Sequence, residues 1–478
     1  MKKSGSNAGI SRFYRAFLFH LLLFLALVNC GDTSNAGHRK NTIHSNARHI
    51  ILFIGDGMQF EYEVALSRYL YGGDFSLVWN SFPYRTYVTT WDIDTYNAYA
   101  ADLGKPPFNE TSFEAVVGYD PAKGGIAPYP IATTGTQAYL TRMATDSASA
   151  ATAIATGMKT DNGNISWLAG DPPNGAIETI AEKMRAQKSA SIGVVSTVPY
   201  DHATPAAFVS HNPQRDNYSQ IADEIINVTK PEVVIGGGHP SWNGTYTTAA
   251  QLDALRNSTD YVLVERIAGQ NGGENLLNAA NSLPTGKKLF GLFGGAGANF
   301  DPPAPADNPG NPGFTVQEEN PSLAEATEAA LTVLSRNKKG FFLMVEGGDI
   351  DWANHANNYN MMIGCMWSLE DAVKTAVAFV DRPGDDINWN NTVLIVTADH
   401  STGYMRLTDS PILGIGQLPH GGEMTYGTTG HTNELVMIYA TGNLTKYFKQ
   451  YEGIRYPGSI IIDNNDIFDA MSEAAGLQ

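Results

Sequence analysis

The chain of 478 residues is 43% hydrophobic and 17% charged, which is typical of a soluble, folded protein with a sizeable core. Its length allows one large domain or two to three ordinary ones. The formal net charge of −17, without a basic stripe, argues against a nucleic-acid-binding surface. Two cysteines, Cys30 and Cys365, provide no disulfide framework, and the apolar neighbours of Cys365 predict a buried, inert thiol.

The first 29 residues have the pattern of a signal peptide. Basic residues up to Arg15 precede an apolar stretch over residues 16–28 that is too short to span a bilayer comfortably. Leu27-Val28-Asn29-Cys30 is similar to the lipobox of bacterial lipoproteins, whose cysteine is acylated, although Asn29 departs from the usual small residue. We therefore expect export to the periplasm or cell surface, with membrane attachment through acylated Cys30. Plain secretion and an uncleaved anchor are the alternatives, and residues 30–48 are predicted to be a polar tether.

After the tether, short apolar runs alternate with amphipathic segments. The runs predicted as buried strands are residues 49–54, 192–196, 233–235, 289–293, 341–345, 393–397 and 435–439. Residues 176–187 and 322–336 are predicted helices, the second beginning with a capping box of Ser322 and Glu325. This alternation predicts an α/β fold, a three-layer sandwich around a mostly parallel central sheet.

Two stretches do not follow the alternation. Residues 80–140 are rich in Tyr, Thr, Gly and Pro and are predicted to form an insertion over the edge of the sheet. Residues 294–320 contain Gly, Pro and Asn without periodicity and are predicted to form a long surface loop.

Acidic and histidine residues follow several of the predicted strands where each strand ends. These residues are Asp56, Asp201, His202, Glu346, Asp399 and His400. Because ligands bind beyond the carboxyl ends of strands in open α/β sheets, these side chains should converge. Several buried carboxylates without cations would be very costly, so their convergence predicts bound metal ions.

Asp351 and His355 extend this predicted metal site. Their spacing of four residues places both side chains on one face of a helical turn. A carboxylate and an imidazole on that turn, close after Glu346, form a ligand set suited to divalent metals.

Ser147 is the candidate nucleophile. It precedes a run of small residues that ends at Gly157, a suitable helix stop, so Ser147 is predicted to lie at a helix N-terminus. Free backbone N–H groups and the helix dipole favour an anion there. The alternative is that Ser147 is an ordinary helix cap.

Several motifs, taken in order along the chain, resemble the alkaline phosphatase family. They are Ile54-Gly55-Asp56-Gly57-Met58, Thr145-Asp146-Ser147-Ala148, Ala203-Thr204-Pro205-Ala206-Ala207, Val345-Glu346-Gly347, Thr397-Ala398-Asp399-His400 and Gly430-His431-Thr432. The resemblance implies a phosphomonoesterase with two zinc ions and one magnesium ion. It implies one catalytic domain over residues 49–478 that acts on small phosphate monoesters, and a homodimer is one option.

The resemblance also implies a role for each site residue. The first zinc ion would be held by Asp351, His355 and His431, the second by Asp56, Asp399 and His400 beside Ser147, and magnesium by Asp56, Thr204 and Glu346. Arg215 matches the family's phosphate-clamping arginine, whose planar fork can hold two phosphate oxygens. His211, His239 and His420 match no ligand position and are predicted to be structural or surface residues.

The chain departs from some family members at His202 and Trp352, where those members have Asp and Lys. These two residues would lie just outside the magnesium ligands. The short segment between His400 and His431 leaves no room for a large crown insertion. Two alternatives to a phosphomonoesterase are a phosphodiesterase or sulfatase of the same superfamily and an inactive metal- or phosphate-binding surface lipoprotein.

Overall fold

The computed structural model describes residues 46–127, 134–407, 414–420, 422–442 and 445–478. The predicted signal peptide, Cys30 and the predicted tether up to residue 45 lie outside the described residues. The fold begins earlier than predicted, because the Ala47 N–H already donates to the Ala474 carbonyl at 2.7 Å. In the described ranges, no helix is long and apolar enough to cross a membrane.

Strands and helices alternate along much of the chain. The strands are β1 (His49–Gly55), β2 (Tyr84–Thr89), β3 (Ser191–Pro199), β4 (Val233–Gly237), β5 (Tyr261–Glu265), β6 (Lys288–Leu292), β7 (Ala304–Pro305), β8 (Phe314–Thr315), β9 (Phe341–Gly347), β10 (Thr392–Thr397), β11 (Ser401–Thr402), β12 (Met405–Leu407), β13 (Met424–Tyr426), β14 (His431–Thr432), β15 (Val436–Thr441) and β16 (Ile462–Asp463). The helices are α1 (Phe60–Tyr71), α2 (Ile93–Asp102), α3 (Ala115–Gly118), α4 (Pro121–Gly124), α5 (Thr134–Leu140), α6 (Ser147–Thr156), α7 (Ile180–Lys188), α8 (Ala203–Ala206), α9 (Tyr218–Glu224), α10 (Ala249–Arg256), α11 (Gly272–Ser282), α12 (Leu323–Leu334), α13 (Asp349–His355), α14 (Tyr359–Val380), α15 (Lys446–Lys449) and α16 (Asn464–Ala475).

The central sheet has ten strands in the order β16-β2-β15-β10-β1-β9-β3-β4-β6-β5. Its strand pairs are parallel except for those that β15 makes with β10 and β2. The prediction of a mostly parallel central sheet is therefore confirmed. Strands β1, β9 and β10 are buried along their whole length, as their continuous apolar sequences predict.

The helices form two groups around this sheet. In the first group, α12 contacts α11 and α14, and α14 also contacts α1. Helices α6, α7, α8 and α16 form the second group. Both groups also contact the central strands β3 and β9. They form the outer layers of the predicted three-layer sandwich.

The boundaries of three predicted elements differ from the structure. Residues 84–89 form β2 inside the sheet, so the predicted insertion at 80–140 begins only after this strand. Helix α7 begins at Ile180, later than predicted, because Thr179 and Glu182 form a capping box there. Ile177 lies before the helix in an extended segment, where its N–H donates to the Ser166 carbonyl. The predicted loop at 294–320 is interrupted by a short hairpin of β7 and β8.

The rest of the insertion forms a separate apolar cluster. Trp91, Tyr96 and Tyr99 pack with Tyr119 and with Tyr456 from the C-terminal region. The segment from Ser401 to Thr432 contains short strands that pair as β11 with β14 and β12 with β13. The described residues of this segment, 401–407, 414–420 and 422–432, contain no large crown insertion.

Candidate active site

The carboxyl ends of the central strands bring three carboxylates together. Ile54 of β1 pairs with Thr397 of β10 on one side and with Glu346 of β9 on the other. This register places Asp56, Glu346 and Asp399 at the same edge of the sheet, and all three are buried. The predicted convergence is therefore confirmed for these three residues.

Ser147 is the first residue of α6. Asp146 is the capping residue, and its Oδ1 accepts the Ser149 N–H at 3.0 Å, so Ser147 is not the cap. Gly157 ends the helix in the left-handed conformation, with its N–H donating to the Ala153 carbonyl. The Ser147 hydroxyl is therefore free of capping and lies 3.1 Å from His400 Nε2 and 3.5 Å from Asp56 Oδ1.

Asp56, Asp399 and His400 form a first group of side chains that could hold a metal ion beside Ser147. His400 Nε2 lies 3.4 Å from Asp56 Oδ1 and 3.4 Å from Asp399 Oδ2. Burial, together with nearby carboxylates, raises the pKa of Asp399 to about 7 and that of Asp56 well above its usual value. Asp399 Oδ2 is buried and has no hydrogen-bond partner among the described residues. A buried set of carboxylates with an unpaired oxygen fits a divalent cation.

Asp351, His355 and His431 form a second group. His355 Nε2 lies 3.1 Å from Asp351 Oδ2, and His431 Nε2 lies 3.5 Å from Asp351 Oδ1. The Nδ1–H groups of His355 and His431 donate to the carbonyls of Thr429 and Thr145 at 2.5 and 2.8 Å. These bonds direct each Nε2 lone pair toward Asp351, which is the orientation that a metal ligand requires.

The two ligand groups share a boundary at His400. Its ring stacks on the ring of His431 with centroids 3.7 Å apart, and Asp351, His400 and His431 could themselves hold one ion. Burial lowers the pKa of His400 well below its usual value, so the ring is neutral and able to act as a ligand. The assignment of His355, rather than His400, to the second group comes from the resemblance.

A set of oxygen atoms lies on the other side of Asp56. Thr204 Oγ1 is 3.4 Å from Asp56 Oδ2, and the Ser196 hydroxyl donates to Glu346 Oε2. Burial raises the pKa of Glu346 to about 8, and its Oε1 has no hydrogen-bond partner in the described part of the chain. Carboxylate and hydroxyl oxygens of this kind suit magnesium.

Arg215 is anchored next to Ser147 through Asp146. Its Nη1 donates to Asp146 Oδ2 at 2.8 Å, and its Nη2 lies 3.4 Å from His202 Nε2. Burial alone would raise the pKa of Asp146, but the Arg215 charge and hydrogen bonds from Ser149 outweigh it and hold the pKa at about 2. Arg215 is therefore held by a carboxylate that remains ionised, with its side chain 22% exposed.

His202 and Trp352 lie beside this arginine. Burial, reinforced by the Arg215 charge, lowers the pKa of His202 to about 3, so His202 is neutral and its Nε2 accepts from Arg215. The Trp352 ring meets the His202 ring edge-on at 5.8 Å.

The three histidines that match no ligand position each lie within salt-bridge distance of acidic residues outside the site. His211 pairs with Glu182 and Glu224, His239 with Glu265, and the exposed His420 with Asp307. Cys365 is a buried free cysteine.

No sequence pattern predicted three of the contacts in the site. The Thr402 hydroxyl donates to Asp351 Oδ1 at 2.5 Å, Ser196 donates to Glu346, and Ser149 lies between Asp146 and Asp92. Hydroxyl residues are common along the chain, so only their positions in space identify them.

Comparison with known proteins identifies relatives of this chain. A family profile described as alkaline phosphatase matches residues 120–446. Alkaline phosphatase 4 of Bacillus subtilis (strain 168) is 34% identical over 54% of this chain and 50% of its own length, so the chain spans about half of that relative. Alkaline phosphatase of Escherichia coli (strain K12) is 31% identical over 70% of this chain and 74% of its own length. The structure of alkaline phosphatase from the Antarctic bacterium TAB5 is 23% identical with a TM-score of 0.59, covers 91% of this chain and 99% of that chain, and supports the fold alone.

Proposed function

The chain belongs to the alkaline phosphatase family, and from that premise we propose that it hydrolyses phosphate monoesters through a phosphoserine on Ser147. The observation that carries this proposal is the position of the Ser147 hydroxyl. It lies at the start of a helix and within 3.5 Å of both His400 and Asp56, next to two groups of metal ligands.

The proposed cofactors are two zinc ions and one magnesium ion. Asp351, His355 and His431 would hold the first zinc ion, Asp56, Asp399 and His400 the second, and Asp56, Thr204 and Glu346 the magnesium ion. The nitrogen-containing sets suit zinc, and the all-oxygen set suits magnesium. When bound, such ions supply positive charge that stabilises a deprotonated serine hydroxyl and the leaving-group oxygen at neutral pH.

The residues of the chain account for the two proposed chemical steps. In the first, Ser147 Oγ attacks phosphorus, the bond from phosphorus to the ester oxygen breaks, and the serine proton ends on the released alcohol. In the second, water attacks the phosphoserine, restores the Ser147 hydroxyl and releases inorganic phosphate. Arg215 would hold two of the nonbridging oxygens, while the N-terminus of α6 favours the negative charge beside Ser147.

Location and assembly are proposals as well. We propose that the protein is exported and attached to a membrane through acylated Cys30, because the lipobox-like sequence directly follows the signal-peptide pattern. Two or more acyl chains anchor far more firmly than one, so Cys30→Ser should release the enzyme from membranes with full specific activity. Unchanged attachment of this variant after washing would indicate an uncleaved helical anchor. A homodimer is also proposed, and sedimentation of the purified protein would measure it.

The proposed activity can be tested on purified protein. An aryl phosphate monoester and the matching diester should be assayed with and without a chelator, and labelled phosphate should be trapped on the protein by rapid acid quenching. We expect a strong preference for the monoester, loss of activity with chelator, and label on Ser147. A preference for the diester would instead support a phosphodiesterase, and an absence of turnover with metal restored would support a binding protein.

A further inference from the structure

The insertion contributes a buried carboxylate that reaches toward the helix of Ser147. Asp92 is 2% exposed and lies at the N-terminus of α2, the first helix of the insertion. Its Oδ1 accepts the Thr95 N–H at 2.8 Å, which is an ordinary capping bond. Its Oδ2 is not needed for capping and accepts from the Ser149 hydroxyl at 2.8 Å and from Asn162 Nδ2 at 3.2 Å.

Ser149 connects this carboxylate to the residue that anchors Arg215. The Ser149 hydroxyl lies 2.8 Å from Asp92 Oδ2 and 2.7 Å from Asp146 Oδ1. A hydroxyl has one proton, so it can donate to only one of the two carboxylates at a time. Asp146 Oδ1 also accepts the backbone N–H groups of Ser149 and Gly163, at 3.0 and 3.2 Å. Ser149 therefore holds Asp146 through its backbone N–H whichever carboxylate its hydroxyl faces, and the contact with Asp92 Oδ2 holds the Ser149 side chain in place.

A second route runs through the backbone beside Asn162. The Asn162 N–H donates to Asp94 Oδ2 at 2.8 Å, and its side chain donates to Asp92. The neighbouring Gly163 carbonyl then accepts the Arg215 N–H at 2.9 Å. The start of α2 thus holds the segment on which the backbone of Arg215 rests.

Both routes end at the same arginine. The first reaches the Arg215 guanidinium through Asp146 Oδ2 at 2.8 Å, and the second reaches its main chain. We propose that Asp92 is a positioning residue for Arg215, and that the insertion thereby sets the orientation of the phosphate clamp. This inference rests on the proposed role of Arg215 in binding phosphate. Asp92 itself would touch neither substrate nor metal.

The test compares Asp92→Ser with a matched variant of the same insertion. Serine is a good capping residue but is too short to reach Ser149, so Asp92→Ser should keep the start of α2 and remove the link. Asp120→Ser is the control, because Asp120 caps α4 in the same way, accepting from Ala122 at 3.0 Å and pairing with Lys123. Binding of inorganic phosphate to the metal-loaded proteins should be measured by calorimetry, together with metal content and melting temperature.

We expect Asp92→Ser to weaken phosphate binding by about threefold to tenfold, the loss typical of one well-formed hydrogen bond. Turnover of a phosphate monoester should fall by a similar factor relative to the diester, because the clamp contacts oxygens that a diester lacks. Asp120→Ser should change neither quantity by more than about twofold. Asp92→Asn keeps an oxygen for the cap and can still bond to Ser149, so it should restore most of the binding.

Combining Asp92→Ser with Arg215→Ala separates positioning from general stability. If Asp92 acts through Arg215, Asp92→Ser should have little further effect on phosphate binding once the guanidinium is gone. An undiminished effect in that background, or equal losses for Asp92→Ser and Asp120→Ser, would overturn the inference. If the wild-type protein binds no phosphate, or Arg215→Ala binds it as well as wild type, the proposed function of the clamp fails instead.

Discussion

Among the buried carboxylates of the described residues, two clusters differ in what neutralises them. In the first, Arg406 lies 3.2 Å from Glu61 and also pairs with Glu434. Burial raises the pKa of Glu61 to about 8 against the opposing charge of Arg406, so this cluster has a counter-charge supplied by the chain itself. In the second, the strand-end carboxylates Asp56, Glu346 and Asp399 all have raised pKa values.

The difference shows which cluster is built for an external cation. Arg406 supplies the counter-charge of Glu61 and Glu434. Among the described residues, by contrast, no lysine or arginine forms an ion pair with Asp399 or Glu346, and Asp399 Oδ2 and Glu346 Oε1 are buried without a hydrogen-bond partner. Burying unpaired carboxylates is costly, so such atoms are expected where a ligand completes the site. To identify a cation site, it is therefore less useful to count buried acids than to ask whether the protein supplies their counter-charge.

The largest expected effect concerns Ser147, which borders the second cluster without belonging to it. Ser147→Ala should lower monoester turnover by at least about 10³-fold, since the proposed nucleophile is lost. The metal content should stay near that of wild type, because the carboxylates and histidines remain. Labelled phosphate and metal analysis of the same preparation check both expectations. Phosphate still attached to the variant protein would show that another residue is the nucleophile.

Two substitutions test the contrast between the two carboxylate clusters through their effects on the stability of the folded protein. Arg406→Met should destabilise the protein by roughly 3–5 kcal/mol, because it leaves buried carboxylates without their cation. In metal-free protein, Asp399→Asn should instead raise the melting temperature, since it removes one of several mutually repelling acids. Denaturant unfolding of both variants after chelation measures the contrast. The comparison would be wrong if both substitutions destabilised the metal-free protein equally.

Arg215 is a cationic side chain that the protein itself supplies at the candidate active site, where it pairs with Asp146. Arg215→Ala should cost monoester turnover roughly 1.5–3 kcal/mol of transition-state stabilisation, the usual worth of a charged hydrogen bond. The loss for a diester should be much smaller. Values of kcat/KM for the two substrates provide the test, and equal losses would remove Arg215 from the clamp.

Substitution of His211 should have the smallest effect on stability. This effect should change gradually with pH, because the imidazole of His211 titrates. Burial lowers its pKa, but Glu182 and Glu224 outweigh this and raise it to about 10 from an ordinary 6.5. The stability from this pairing is fully present below pH 6.5 and is lost as the pH rises through about 10. His211→Gln should reduce stability at pH 7 by about 1–2 kcal/mol and flatten its decline toward pH 10. Unfolding measured across this range would contradict the prediction if both proteins declined alike.

Local patterns in the sequence predicted much of the framework and of the site. Continuous apolar runs predicted the central strands, because a strand buried on both faces has no polar positions along its length. Residues directly after those runs, such as Asp56 and Asp399, were predicted to converge because parallel strands share one edge. The small residues after Asp146 and the glycine at 157 predicted α6 by short-range chemistry alone. The assignment of each residue to a particular ion came from the resemblance to a family.

Other features were decided only by the tertiary structure. The membership of β2 in the sheet depends on its pairing with β15 and β16, which lie more than 300 residues away along the chain. The link from Asp92 through Ser149 to Asp146 joins residues that no periodicity relates. The same holds for Arg406 between Glu61 and Glu434. Periodicity records which face of an element is buried, but a hydrogen bond or ion pair between distant segments exists only once the packed fold has brought its two partners together.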